Sequence, residues 1–406
     1  MKRKIDSKEL QIGMYVSELD RPWLETPFLF QGFQIASQGD IQELQRNCDF
    51  VYIDEARSDY QATEADTTAA ASERQTISPQ AYSKPAPKIA IEEEIARARE
   101  VQQSAEQQLT TLFQQLRSDQ EVDSDQVQQL VGDLYESLVR NPDALLLLNS
   151  LKNLEQAAET HAIGTSVLAI SLGRYMHFSQ QLIEELGMAA LLHDVGEVQI
   201  PLEVIHRNPR SAEDNALLKR HPEFGAAILR NTPGIPDSVV DAAYSHHEQI
   251  DGHGFPRGVS GDAMTLFAKI VAIVNTYDQL TRGDQAHSMS PSEALRHLYQ
   301  CRDTLFDAQL TEAFIQCLGV YPVGSLVELY SGEVGIVIAS PPGEHLHPRL
   351  MLVRTPNKQP YKPPRLINLA NFVKGSESKQ YAIRQVLPPD AYGVDIRAYL
   401  LSETVL

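Results

Sequence analysis

Between Asp143 and about Leu318 the sequence offers helix and almost nothing else. Apolar residues recur at the three-to-four spacing of one helix face in Ala162 to Tyr175, Gln181 to His193, Ala212 to Leu229, Ser238 to His246, Leu266 to Leu280 and Pro291 to Tyr299. Pro, Gly and Asn punctuate these runs. A block of this length without a strand pattern has to bury its apolar faces by packing helix on helix. Ten of the chain's 12 histidines fall inside it, from His161 to His297.

The flanks read differently. Residues 1–57 alternate short apolar runs with turn signals. Tyr15-Val16 precedes LDRPW, Phe28 to Phe33 surrounds a glycine, and Phe50 to Ile53 reads as a strand. A short helix from Ile41 to Leu44, opened by Asp40, completes a small α/β regulatory module, with Trp23 in its core or rim. Residues 58–90, rich in Ala, Thr, Ser, Gln and Pro and without periodicity, read as a flexible linker. Residues 91–142 form a helical connector. In it Ile91, Ile95, Ala98, Gln102, Ala105, Leu109, Leu112 and Leu116 keep an alternating four-three spacing, one heptad seam with one polar interruption. That seam either lies on its own domain or pairs with a second copy in a parallel dimer. A second helix, from Ser124 to Arg140, stops at Asn141-Pro142, with Asp143 placed to cap the next. From Val320 the pattern turns to strands at Leu326 to Leu329, Val334 to Ala339 and Leu350 to Val353, so residues 319–406 form a β-rich appendage. The expected fold is mainly α, with the all-helical domain at 143–318.

Composition excludes several roles. With 35 Lys+Arg against 54 Asp+Glu, the net charge of −19 argues against non-specific binding of DNA or RNA and against anionic membranes. A local pocket can still hold one small anion. Cys48, Cys301 and Cys317 are far apart and fit a reducing compartment. No signal peptide is apparent, and the longest apolar stretches are too short to span a bilayer, so a cytoplasmic location is expected.

The histidines sit in recognisable company. His193 and Asp194 are adjacent in MAALLHDVG, His221 lies in RHPEFG, His246-His247 in SHHEQIDGHGFPRG, and His161 in ETHAIGTSVLAI. Neighbouring side chains diverge on a helix, so His193 and Asp194 can converge only near a helix end or where two ions share them. One histidine alone is most simply a half-buried ring with satisfied nitrogens. Five in one block, two of them consecutive beside Glu248 and Asp251, ask for more. Imidazoles and carboxylates in this number suit Mn, Fe or Zn rather than Ca, and two ions rather than one tetrahedral site. Paired ions serve displacement at phosphorus. No phosphate loop ending in Lys-Ser or Lys-Thr and no G-x-S-x-G elbow is present. His345 and His347 are expected at the surface.

These motifs resemble the HD-GYP group of the HD phosphohydrolase superfamily, whose pattern HHE-x-x-DG-x-GYP is matched here with Phe255 for the Tyr. LQIGMYVSELDRPWLETPFLFQGF is similar to the uncharacterised domain that often precedes such domains, and GVYPVGSLVELYSGEVGIV to the β segment that follows them. The resemblance implies an all-α domain that hydrolyses cyclic di-GMP to pGpG or GMP with Mn or Fe. It makes His161, His193, Asp194, His221, His246, His247 and the residue at Asn275 metal ligands, with Asp194 bridging and the pair His193-Asp194 catalytic. Asp251, Gly252, Gly254, Phe255 and Pro256 match the loop that shapes the pocket. Asp278 and Arg282 are assigned to the substrate. The N-terminal module and the heptad seam, for their part, suggest a regulatory input, with a protein partner, and a homodimer.

Four positions depart from the family. Asn275 stands where an Asp ligates metal, and Glu197 replaces the usual Lys four residues after the HD histidine. The run D-R-P-Y-R/K reads R-G-D-Q-A-H, leaving Arg282 or His287 to substitute. Ala157 stands where some members place a Glu for a third metal, so two ions are expected. Charge-assisted bonds to phosphate are worth about 1.5–3 kcal/mol each, so losing two such cations weakens binding by ~10²-fold or more. The residues therefore allow a metal-dependent cyclic di-GMP phosphodiesterase, a non-catalytic relative that binds cyclic dinucleotides or proteins, or a hydrolase of another phosphate ester.

Overall fold

β4 (Phe50–Asp54) alternates half-buried and buried residues, so Val51 and Ile53 face inward against Ile41 and Leu44 of α1 (Gln38–Asn47). In the computed structural model β4 lies between β1 (Lys2–Asp6) and β2 (Tyr15–Leu19), and β3 (Phe33–Gln34) completes an antiparallel sheet of order β1-β4-β2-β3. The structure describes residues 2–20, 33–35, 38–55, 58, 82, 84–118, 121–151, 157–282, 288–342, 346–372 and 379–400. Trp23, the run from Phe28 and most of the 58–90 linker lie outside these residues.

The connector resolves one open choice. α2 (Ile91–Arg117) turns its seam onto the chain's own helices, and Ile91, Ile95, Ala98, Ala105, Leu109 and Leu112 are buried there. Glu94, fully buried, accepts from Arg140 Nε at 2.8 Å and Ser137 Oγ at 2.7 Å. That pins α2 to α3 (Ser124–Arg140), whose bounds match the expectation. The cap of α4 (Pro142–Asn149) is Asn141 rather than Asp143: its side chain accepts from Asp143 N, and Pro142 takes the first helical turn. Asp143 instead accepts from Lys84 Nζ at 3.0 Å and Ser340 N at 3.3 Å, joining α4 to the C-terminal sheet.

The helical block follows as α5 (Ala157–Tyr175), α6 (Gln180–Leu192), α7 (Leu202–Ile205), α8 (Ala212–Leu218), α9 (His221–Arg230), α10 (Asp237–Ser245), α11 (Leu266–Arg282), α12 (Pro291–Gln300) and α13 (Ala308–Leu318). α5 and the second half of α6 are buried almost all round and form its centre. The single helix expected from Ala212 to Leu229 is in fact two, broken at Lys219-Arg220, with Pro222 in the first turn of α9.

β5 (Leu326–Leu329), β6 (Val334–Ala339), β7 (Arg349–Arg354), β8 (Pro360–Asn368) and β9 (Ile383–Leu387) make an antiparallel sheet of order β8-β7-β6-β5-β9. β5 and β6 are buried along their whole length, and a short α14 (Ile396–Leu400) follows. His347 is not at the surface: it is buried beside Arg46 of α1, where Gln42, Phe372 and Tyr381 line the same small gap. His345 lies outside the described residues. Burial first, and then the Arg46 charge, push the His347 pKa down to about 4. The unfolded value is 6.5, so the unfolded chain takes up the proton first, and stability is lost as pH falls below it. Near pH 5 this costs about 2 kcal/mol. In urea titrations at pH 7.5 and 5, His347→Gln should lose correspondingly less stability than the wild type. An equal loss would contradict the assignment.

Candidate metal centre

Helix ends build the centre. His193 closes α6, and Asp194, with φ −99° and ψ 10°, has already left it for the 3₁₀ turn Val195–Gln199, so the two side chains converge. His221 is the first residue of α9; His246 and His247 follow the end of α10. Only His161 projects from within a helix, α5. The 3₁₀ turn reaches α9 because residue 196 is glycine: a Cβ there would lie 2.0 Å from His221 O and 2.4 Å from Gly225 N.

Three rings are oriented the same way. His193 Nδ1 meets Ala190 O at 2.8 Å, His221 Nδ1 meets Leu218 O at 2.7 Å, and His246 Nδ1 meets Ala243 O at 2.9 Å. A carbonyl only accepts, so each Nδ1 carries the proton and each Nε2 turns a lone pair inward. His161 is oriented by a carboxylate, Asp278 Oδ2, at 2.7 Å.

The inward atoms converge on Asp194. Its Oδ2 lies 3.1 Å from His193 Nε2 and 3.6 Å from His161 Nε2; its Oδ1 lies 3.2 Å from the Nε2 of both His221 and His246. Two compact groups share that carboxylate, His161-His193-Asp194 and Asp194-His221-His246-His247. These are not self-sufficient hydrogen bonds. His161 Nε2, His193 Nε2 and Asp194 Oδ1 are buried without hydrogen-bond geometry to any partner, as is Asn275 Oδ1. His221 and His246 bring their Nε2 atoms to 3.1 Å, lone pair toward lone pair. Buried acceptors facing one another need a cation between them, so the donor set fits divalent ions. The Asp194 side chain is 21% exposed where His193 and His246 are fully buried, which leaves one side open.

Burial opposes the charge of Asp194, yet the surrounding imidazoles hold its pKa well below the usual carboxylate range. Burial would lower His161, but the carboxylates of Asp194 and Asp278 on either side of its ring raise it to about 9. Burial pushes His246 down to about 4 and, with the neighbouring His246, His247 to about 2. Both are therefore neutral, the form that ligates metal.

The loop after His247 folds on a buried carboxylate. Glu248 accepts from Arg257 N at 2.7 Å and Val259 N at 3.1 Å, and Asp251 accepts from His253 N at 3.0 Å. Asp251 thus shapes the loop's own turn. A Cβ at Gly254 would lie within 2.5 Å of Glu248 Cα, Gln249 N and His247 O. Phe255, whose N donates to His247 O at 3.1 Å, stacks its ring on His247 at 4.5 Å and 18°, and Pro256 follows through a cis peptide.

Several expected residues are placed elsewhere. Asp278 is fully buried behind His161, and Arg282 donates to Asp278 Oδ2 at 2.9 Å and Thr160 Oγ1 at 2.5 Å. Both therefore stand behind His161. Asn275 lies one turn before Asp278 on the same face of α11, buried. Glu197 sits in the 3₁₀ turn within electrostatic reach of Asp194, His221, His161 and His193; burial and then the Asp194 charge raise its pKa. His287 and the side-chain surroundings of Ala157 lie outside the described residues. Sequence reasoning did not single out Gly196, whose signal was the paired glycines of HDVG and HPEFG.

Comparison with known proteins agrees. Residues 2–127 match a family described as a domain of unknown function (DUF3391), and residues 141–310 match the HD domain. A cyclic di-GMP phosphodiesterase of Pseudomonas aeruginosa is 33% identical over 355 residues, 86% of this chain and 84% of that one. The cyclic di-GMP phosphodiesterase response regulator RpfG of Xanthomonas campestris is 33% identical over 180 residues, 41% of this chain and 47% of that one. The 3′3′-cGAMP-specific phosphodiesterase 1 of Vibrio cholerae is 29% identical over 163 residues, 39% of this chain and 38% of that one.

Proposed function

The chain belongs to the HD-domain family of cyclic di-GMP phosphodiesterases, and on that premise we propose that it hydrolyses cyclic di-GMP to pGpG or GMP at a two-ion centre. His161, His193 and Asp194 would hold one ion, and Asp194, His221, His246 and His247 the other. The division of Asp194 between two sets of imidazole nitrogens carries the reading. Imidazoles with one bridging carboxylate suit Mn or Fe. Bound there, the ions would stabilise the charge developing on the phosphoryl oxygens and lower the pKa of water.

The protein's residues supply the rest. Asp194 spans both positions, and the backbone carbonyls of Ala190, Leu218 and Ala243 fix the histidine tautomers. Asp278 fixes His161, with Arg282 behind it. Residues that orient a ligating histidine typically contribute about 10–100-fold to metal affinity. Asp278→Asn should weaken ion binding by that factor in calorimetry while the fold persists; unchanged affinity would contradict its role. Asn275 offers its neutral oxygen in place of a carboxylate.

Asn275 and Glu197 also support a second reading, a catalytically weak relative that binds rather than cleaves. Asn275→Asp with Glu197→Lys separates the two. The enzyme reading expects robust wild-type turnover that the double change alters by less than about tenfold. Activity appearing only in the double variant would establish the second. A panel of cyclic di-GMP and 3′3′-cGAMP, with the same loaded sample, ranks substrates; preference for the latter would redirect the proposal.

The proposal includes a cytoplasmic signalling enzyme with regulatory input through α2. Arg117, at the end of α2, donates to Val198 O at 3.1 Å and Ile200 O at 3.4 Å, just past Glu197, which supports such a route. Among the described residues no helix is long and apolar enough to cross a membrane. Because the α2 seam is buried within the chain, a homodimer would use another face.

A further inference from the structure

A phosphate diester needs cations, yet the basic side chains near this centre are engaged elsewhere. Arg257 bonds Ser245 Oγ at 2.6 Å, Arg282 is turned to Asp278 and Thr160, and Arg220 pairs with Glu223 at 3.3 Å. Glu197 adds a carboxylate to the same surroundings.

Lys219 differs. It caps the C-terminal end of α8 in the break that sequence periodicity concealed, two residues before His221, and is exposed. It takes part in no ion pair among the described residues. Its Nζ lies over the Phe255 ring, 5.5 Å from the centroid, and that ring stacks on His247 at 4.5 Å. The ammonium is thus within about 10 Å of the ring of His247. A four-carbon stem carrying a point charge can reach toward a phosphate as it arrives, without the fixed geometry an arginine fork requires. Phe255 holds the stem's charged end beside its own ring, the ring that stacks on His247, through a cation–π contact.

We infer that Lys219 binds a phosphate of the cyclic dinucleotide, supplying from the α8–α9 break the cation that position 197 lacks. The inference rests on the proposed activity, so its test needs a readout separate from turnover. Lys219→Ala, Lys219→Arg and the wild type, each loaded with Mn, are compared for KM and kcat with cyclic di-GMP. They are also compared for the Kd of a phosphorothioate analogue of cyclic di-GMP at two salt concentrations. The alanine variant should raise both KM and Kd about tenfold, as expected for a lost charge-assisted contact, with kcat within about twofold. It should also flatten the salt dependence, while arginine should restore most of the binding. Unchanged KM and Kd in the alanine variant would overturn the role of Lys219. Wild type that binds the analogue without cleaving cyclic di-GMP would instead overturn the enzyme reading, and Kd would still report on Lys219.

Discussion

Replacing Asp194 with alanine is expected to remove divalent-ion binding at both positions together and to lower cyclic di-GMP turnover by at least about 10³-fold, ~4 kcal/mol of barrier. The size follows from geometry. Asp194 Oδ1 faces His221 and His246, Asp194 Oδ2 faces His193 and His161, and no other carboxylate joins either group among the described residues. His247 belongs to one group alone. His247→Ala should therefore cost about one ion and leave the other, whereas Asp194→Ala costs both. Metal analysis of the two variants beside the wild type reads this directly. Equal ion content in Asp194→Ala and wild type would remove the bridge from the account.

Gly196→Ala should be a severely damaging single methyl in the helical domain. The added Cβ would meet His221 O at 2.0 Å and Gly225 N at 2.4 Å, and both are backbone atoms that cannot swing aside. We expect a loss of about 3–5 kcal/mol, or failure to fold, because the 3₁₀ turn and α9 must separate. Separation would carry His221 away from Asp194, so ion affinity should fall with stability. Gly225→Ala is the control across the same crossing. Its Cβ would meet nothing closer than Gly196 N at 3.3 Å, and alanine favours the helix interior, so stability should change by no more than about 1 kcal/mol. Denaturant midpoints that did not separate the two variants would contradict the crossing.

These expectations depend on what the residue pattern reveals and what it hides. Periodicity located α3, β5 and β6 at their observed bounds, because β5 and β6 are continuous buried runs and α3 is one unbroken amphipathic stretch between Asp123 and Asn141. It hid the break at Lys219-Arg220, since the apolar spacing continues across it and only Pro222 marks the new start. It also hid β8, whose Pro363-Pro364 and charges argue against a central strand but are tolerated at a sheet edge. The heptad seam of α2 looks the same whether a second copy or the chain's own helices cover it. His347 shows the same limit, because α1 covers it from the other end of the sequence. In the centre, the adjacent His193 and Asp194 announced a helix end. That Asp278 and Arg282 stand behind His161 depends on how α5 and α11 pack, which spacing along one helix does not encode.

Two ions bridged by Asp194 are proposed to make this chain a cyclic dinucleotide phosphodiesterase. The most direct test is ion content and cyclic di-GMP hydrolysis measured on one preparation loaded anaerobically with Mn or Fe. The account predicts about two ions per chain and conversion to pGpG or GMP that disappears with the ions. Two ions per chain with cyclic di-GMP left intact would contradict it.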